Sequence, residues 1–399
     1  MEKEILNDVK KFQQAEKMKK QRDEIQPIPY YYDGLESLCE RIHPTLQLVK
    51  ISDIQLLSHD TKLVRLIPAK PNKPLAPFRA GQYIGLTVEI DGVRTSRPYS
   101  IVSSPNQLAY YELGIRRKQG GFVSCYLFDH AQVGDTLEAT EPLGNLYYNH
   151  LFHGNELVFI AGGCGVTPFI SMLLDISERL LPLKITVIYG CLTETDILFR
   201  DLLEDLQSRR SNLKIHYVLS EPDSDWKGEC GFITREIIQK FVGALKGKYF
   251  YIVGNRAMYQ YIGPELAALG IARHRTLYEA FGVPDDITKV IGWPNTFDSS
   301  NKVKITLRYR ELNTEKIAEF EAFCTEPLLN SIERQKIPSI QIKNGCRSGE
   351  CALCRTKMDE GKVFVPPNVT VREVDSDYGF IHPCVSYPLT DLQLDLTRI

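Results

Sequence analysis

The nonapeptide Cys346-Arg347-Ser348-Gly349-Glu350-Cys351-Ala352-Leu353-Cys354 sets three thiols at a C-x4-C-x2-C spacing, and Cys384 follows after 29 intervening residues. Iron bound to sulfide takes soft thiolate ligands, and four of them complete two tetrahedral irons. A loop that supplies three thiolates has to curl, which accounts for Gly345 and Gly349. Its amide N–H groups can face the sulfurs and offset their negative charge. Zinc is the alternative, but zinc loops come as paired C-x2-C units rather than this asymmetric set. The spacing therefore marks Cys346, Cys351, Cys354 and Cys384 as the metal ligands of a 2Fe–2S cluster, with Cys324 left over as a core residue.

This cysteine pattern resembles that of a plant-type 2Fe–2S ferredoxin, which implies a β-grasp domain over residues 303–399. The segment opens with alternating runs at Lys304–Arg310 and Lys316–Phe323, a predicted hairpin.

The rest of the chain is too long to serve only as a carrier for that module. Its 399 residues call for roughly two to four domains. With 43% hydrophobic and 25% charged residues the composition is that of a globular protein. A net charge of -2 and the lack of a basic face give no footing for nucleic acid; the Lys17–Arg22 run is diluted by Glu16, Asp23 and Glu24. The most apolar stretch, Leu157–Leu174, is broken by glycines and predicts a strand, a turn and a helix rather than an integral membrane segment. The start of the chain has no apolar signal core, so a cytoplasmic protein is expected. Residues 1–45 form an N-terminal extension whose first part predicts a polar helix with a thin seam of Ile5, Val9 and Phe12. That helix is either an accessory element or a contact for a partner or, peripherally, a membrane surface.

From residue 46 to 150 apolar residues recur at a period of two, in segments such as Lys62–Ile67, Tyr83–Ile90 and Ala109–Arg116. This predicts an antiparallel β-barrel. From 151 to 282, apolar strands (Glu156–Ala161, Lys184–Tyr189, Lys214–Leu219, Tyr249–Val253) alternate with helical segments, which predicts a parallel α/β domain. Residues 283–302 lack periodicity and are expected to be a linker.

Two motifs sit in the barrel segment. Arg97-Pro98-Tyr99-Ser100 offers a cation, an aromatic face and a hydroxyl at the end of a strand, which a flavin needs for its phosphate, its ring and its N5. Gly120-Gly121-Phe122-Val123-Ser124 falls at a strand-to-helix junction, where small residues and free N–H groups suit a pyrophosphate. Pro142-Leu143-Gly144 closes the segment. In this order, ahead of an α/β domain, the motifs resemble the ferredoxin–NADP reductase superfamily. The resemblance implies a flavin held by Arg97, Tyr99, Ser100, Gly121 and Ser124, with Pro98, Gly120 and Val123 in the same segments. FAD is favoured by the pyrophosphate-type segment, although relatives with FMN exist.

After the strand ending near Ala161, the run Gly162-Gly163-Cys164-Gly165-Val166-Thr167-Pro168 resembles the superfamily's G-x-G-x-T-P loop. The resemblance assigns Gly163, Gly165, Thr167 and Pro168 to the nicotinamide cofactor, together with Gly254 and Met258. One departure is that Val253-Gly254-Asn255 stands where relatives carry Cys-Gly-Pro. Glu279-Ala280-Phe281 resembles a Glu-x-Phe segment near the flavin in relatives with a C-terminal ferredoxin, so Ser100, Thr167, Glu279 and Phe281 are the catalytic candidates. Glu194 and Glu221 follow the second and third α/β strands, where a carboxylate accepts from a ribose hydroxyl and repels a 2′-phosphate. That favours NADH, with Arg200 leaving NADPH open.

This domain order is that of reductase components that serve oxygenases. It implies an oxidoreductase passing electrons from NADH to FAD to the cluster, and on to a separate terminal oxygenase, hydroxylase or desaturase. The alternative is a redox sensor or electron-carrier module without efficient hydride transfer.

Overall fold

The structure, a computed structural model, describes residues 38–399 apart from 281, 368, 370 and 399. The chain divides into two units, Met1–Pro44 and Thr45–Ile399. In the first, residues 38–42 are helical, and the expected N-terminal helix lies outside the described residues. The second unit carries three main sheets in chain order.

The first sheet consists of β1 (Gln47–Ser58), β2 (Thr61–Pro68), β3 (Tyr83–Ile90), β4 (Val93–Ser100), β5 (Tyr111–Arg116) and, after helix α1 (Phe122–His130), β6 (Thr136–Ala139). All neighbours are antiparallel in the order β4-β3-β6-β1-β2-β5. The period of two turns Ile51, Leu66, Ile84, Leu86 and Leu113 inward, and α1 plugs the core with Val123 and Leu127. The expected barrel is left open. Its end strands β4 and β5 share no ladder among the described residues and meet through the isolated bridge Ile101–Leu113. Pro98 offers no N–H for a further ladder, and β4 has ended by Ser100.

The second sheet comprises β7 (Glu156–Gly162), α2 (Thr167–Glu178), β8 (Lys184–Cys191), α3 (Arg200–Arg209), β9 (Leu213–Leu219), β10 (Glu229–Cys230), α4 (Arg235–Val242), β11 (Tyr249–Gly254), α5 (Arg256–Ala268) and β12 (Thr276–Ala280). Every pairing is parallel in the order β10-β9-β8-β7-β11-β12. Alternate residues of β7 serve two cores. Leu157, Phe159 and Ala161 pack under α2 and α3, while Val158 and Ile160 pack under α4 and α5. Burial on both faces is why β7 reads as a continuous apolar run. The strand order reverses between β7 and β11, the crevice where open α/β sheets take their ligands.

The third sheet consists of β13 (Lys302–Glu311), β14 (Thr314–Phe323), then, after α6 (Leu328–Glu333), β15 (Thr356–Glu360), with β16 (Val363–Phe364) pairing apart, α7 (Glu373–Asp377), β17 (Phe380–Ile381), β18 (Tyr387–Pro388) and β19 (Leu392–Asp395). Its order is β14-β13-β19-β15-β17, with β13 and β19 parallel at the centre. Leu328 and Ile332 of α6 bury against Ile305, Leu307 and Leu394, which is the β-grasp arrangement. Residues 283–302 carry a small core of their own. Trp293 is 6% exposed and meets Phe364 and Tyr387 edge-on, with ring centroids 5.2 and 6.1 Å away. Sequence periodicity is blind to such a segment because it is held by one large ring rather than by a repeating face.

Candidate functional site

The cysteine loop lies between α6 and β15. Cys346, Cys354 and Cys384 are buried and Cys351 half-buried. The sulfurs stand as two pairs. Cys354 and Cys384 Sγ are 3.3 Å apart, and the Cys346 and Cys351 thiols bond each other. Backbone N–H groups of Ser348 and Cys351 donate to Cys346 Sγ at 3.4 Å, and that of Cys346 donates to Cys351 Sγ at 3.5 Å. The Cys351 thiol, aided by these amides, holds Cys346 down to about 5 against its burial. Among the described residues no three His, Cys, Asp or Glu side chains gather as they would around a single ion. Two thiol pairs, each ready for one iron, fit a two-iron cluster better than mononuclear zinc.

The curl has a cost. Arg347, Gly349 and Ala352 all have φ near the left-handed region, at 51°, 92° and 55°. For the two non-glycine residues this amounts to about 1–3 kcal/mol each. Gly345 serves differently: a Cβ there would lie 2.6 Å from Leu143 Cδ1, so its missing side chain lets the loop close onto the barrel. Cys384 is brought in by α6, whose Leu328 and Leu329 N–H groups bond the Ser386 and Pro383 carbonyls at 2.9 Å. His382 also braces the loop, with Nδ1 3.0 Å from the Gly349 carbonyl and Nε2 2.9 Å from Asp375.

On the barrel, Arg97 and Tyr99 are two residues apart on β4 and share a face. Arg97 donates to Thr95 Oγ1 at 2.9 Å and to the Ser96 carbonyl at 2.7 Å. Burial, and then Arg347, lower it to about 10. Pro98 pairs with Gly85 on β3. Ser100 hydrogen-bonds Glu279, whose carboxyl is pushed well above the usual range by burial and then by the charge of Glu350. Glu279 is 4% exposed and its Oε2 has no partner. Tyr259 supports its strand by donating to the Glu279 carbonyl. Phe281 lies outside the described residues.

At the start of α1, Gly120 has φ 71° and open space within 4 Å of where a Cβ would stand, whereas a Cβ on Gly121 would strike Ser124 Oγ at 2.4 Å. Ser124 Oγ accepts the Lys118 N–H at 3.2 Å and so shapes the turn, and Val123 points into the barrel core. No side chain caps the helix and its first turn has no acid, which leaves amides able to take an anion. The orphaned Glu279 oxygen, the glycine cradle and the cation-bearing face of β4 fit a flavin nucleotide.

In the α/β domain, Gly163 has φ 53° and a Cβ on it would lie 2.8 Å from Arg116 Nη1. Arg116 ends β5 and is anchored by Asp60 at 2.6 Å. Motif reading misses this residue, although the Arg116-Arg117-Lys118 run before the glycines marks it. Gly165 packs on the end of β11, where a Cβ would be 2.2 Å from the Val253 carbonyl oxygen. Thr167 is buried, donates to the Cys164 carbonyl at 2.9 Å, and is followed by Pro168 in the first turn of α2. Burial pushes the neighbouring Cys164 thiol up to about 11. Met258 fills the gap between β7 and β11: its sulfur would be 2.4 Å from a Cβ on Gly162 and 2.3 Å from one on Gly254. Gly254 and Met258 are thus brought together as packing partners at the switch point. Asn255 caps α5 by accepting the Met258 N–H at 2.8 Å. Glu194 is engaged by Arg200, which also binds Glu204 at 2.9 Å. Glu221 is exposed on the adjacent loop, its N–H bonded to the Leu192 carbonyl at 2.8 Å.

Three family models match the chain in the same order as its sheets: oxidoreductase FAD-binding domain over residues 48–148, oxidoreductase NAD-binding domain over 159–263, and 2Fe-2S iron-sulfur cluster binding domain over 314–389. The chain belongs to the ferredoxin–NADP reductase superfamily. It is an oxidoreductase with sites for FAD, a nicotinamide and a 2Fe–2S cluster. This superfamily member is 26% identical over 354 residues to a subunit of the 1,2-phenylacetyl-CoA epoxidase of Escherichia coli, covering 87% of this chain and 96% of that one. It is 25% identical over 340 residues to the glycine betaine monooxygenase reductase subunit of Chromohalobacter salexigens, covering 80% and 87%. The reductase fold is also that of phthalate dioxygenase reductase, with TM-score 0.62 at 20% identity over 88% of this chain and 98% of that structure. No described helix is long and apolar enough to cross a membrane.

Proposed function

We propose that this reductase is the electron-transfer component of an oxygenase system, taking electrons from NADH through FAD and its 2Fe–2S cluster to a separate terminal oxygenase, hydroxylase or desaturase. The observation that carries the reading is the meeting of the cysteine loop with the flavin strand: Ser96 on β4 donates to Asn344 Oδ1 at 2.5 Å, two residues before Cys346. The reductase and epoxidase subunits among its relatives support the same reading.

When bound, the flavin supplies the exchange between two-electron hydride chemistry and single electrons, and the cluster passes single electrons onward. The chain's own residues bind and orient. Arg97 and the first turn of α1 would hold phosphate charge, Tyr99 would offer its ring to the flavin, and Ser100 with Glu279 would present a hydrogen-bonded pair to its polar edge. The Gly163–Thr167 loop and Arg116 would hold the nicotinamide cofactor's pyrophosphate at the seam between the first two sheets. Glu221 favours a ribose hydroxyl over a 2′-phosphate, while Glu194 already occupies Arg200. Four thiolates must stay reduced to hold iron, which puts the protein in a reducing compartment such as the cytoplasm.

A second reading, a redox sensor without efficient hydride transfer, is favoured by one observation: Val253, 1% exposed, stands where relatives have Cys. Cys351→Ala distinguishes the two. The reductase reading expects loss of the cluster's absorbance and of one-electron transfer to an added cytochrome, with NADH reduction of a two-electron dye retained. Disappearance of dye reduction as well would contradict an electron path built from separable modules.

A further inference from the structure

Thr95 lies two residues before Arg97 on β4 and is 3% exposed. Its hydroxyl donates to Glu333 Oε2 at 2.9 Å and accepts from Arg97 at 2.9 Å and from Arg347 Nη2 at 3.0 Å. One hydroxyl has one hydrogen and two lone pairs, so these three bonds use it completely. Arg347, 6% exposed, is the second residue of the cysteine loop. Its guanidinium pairs with Glu333 and donates to the side-chain oxygens of Asn330 and Asn344, both at 3.1 Å. Asn344 in turn accepts from Ser96. Three elements therefore converge on one buried hydroxyl: the flavin strand, α6 and the loop that carries Cys346.

A largely buried ion pair in such a network contributes little net stability, because desolvation offsets attraction, but it fixes register. Other close approaches in this seam include the Gly345–Leu143 contact, the Gly85–Asn344 approach and the Lys336 ammonium on the Asp91 carbonyl, none of which fixes a direction as three hydrogen bonds on one hydroxyl do. We propose that Thr95, with the Glu333–Arg347 pair, is a positioning node that seats the cysteine loop in a single register on the flavin strand and thereby sets the rate of electron transfer within the molecule. The node carries no electron or proton itself. The transfer it serves is one electron from the reduced flavin to the oxidised cluster, the flavin's two having come from NADH. This inference rests on the reductase reading. Electron transfer falls steeply with separation, so a loosened seat slows the step without touching hydride transfer.

The test compares Thr95→Val, which keeps the shape and removes all three bonds, with Thr95→Ser, which restores the hydroxyl. In the full holoprotein, mixed anaerobically with NADH, Thr95→Val is expected to reduce its flavin at the wild-type rate and its cluster about tenfold more slowly. Thr95→Ser should match the wild type in both. Small-angle scattering supplies a readout apart from activity: Thr95→Val should increase the radius of gyration and Thr95→Ser should not. If Thr95→Val does not fold, Glu333→Gln, which leaves Arg347 without its counter-charge, carries the same comparison. An unchanged rate of cluster reduction overturns the inference. So does a loss of bound flavin or iron in proportion to the slowing, which would make the node a structural support. If the wild type itself passes no electrons from NADH to flavin to cluster, the reductase reading falls, and the inference with it.

Discussion

Glu279 is a carboxyl at the end of β12 with one oxygen on Ser100 and the other without a partner. Burial makes ionisation costly there, so it keeps its proton to higher pH than the same residue does in the unfolded chain. The sign of the linkage follows. A group whose folded pKa is raised adds stability in acid, and that contribution is lost as pH rises from the ordinary carboxylate range through the folded value. Glu279→Gln cannot ionise. Its melting temperature should therefore fall less than that of the wild type between about pH 5 and about pH 8, and parallel melting curves for the two proteins would refute a raised pKa. The residue itself was legible in the sequence as part of Glu279-Ala280-Phe281, but its environment was not. That environment is built by burial beside Ser100 and Glu350, which are distant in the chain. The same holds for Arg116, whose role depends on a loop nearly fifty residues away.

The elements were the most legible part, because each announces itself by a local period. β3 falls at Tyr83–Ile90 as the alternation predicts, and the four expected α/β strands follow their apolar runs within a residue or two, whereas the edge strands β10 and β12 went unread. Two things escaped. The barrel stays open at the Ile101–Leu113 bridge, since closure depends on where β4 ends and not on its pattern. The Trp293 segment has no pattern at all. Glycines also read ambiguously. Gly165 belongs to the expected cofactor loop, yet it is required by the Val253 backbone that presses against it. Gly165→Ala should cost about 1–3 kcal/mol by overpacking, seen as a lower melting temperature together with slower NADH-driven flavin reduction; a wild-type melt would contradict that close approach. On the neighbouring loop, Glu221→Arg should shift the ratio of kcat/KM values towards NADPH. An unaltered ratio would remove Glu221 from the ribose site.

At the scale of the whole molecule, three sheets follow one another along the chain and their ligand-facing loops converge. The Gly163 loop reaches Arg116 on the barrel, and the cysteine loop reaches Thr95 and Ser96 on the same barrel. The proposed flavin site is thus the shared neighbour of the other two. The order of domains was legible in the motifs, but this convergence was not, because it is built from contacts such as Ser96–Asn344, nearly 250 residues apart in sequence. In the proposed path, electrons enter at the nicotinamide loop and leave through the cysteine loop by way of a flavin bound between them. Anaerobic stopped-flow mixing of the holoprotein with NADH tests it most directly. Bleaching of the flavin followed by bleaching of the cluster, in that order, is the predicted result. A flavin that stays oxidised, or a cluster reduced before it, would contradict the account.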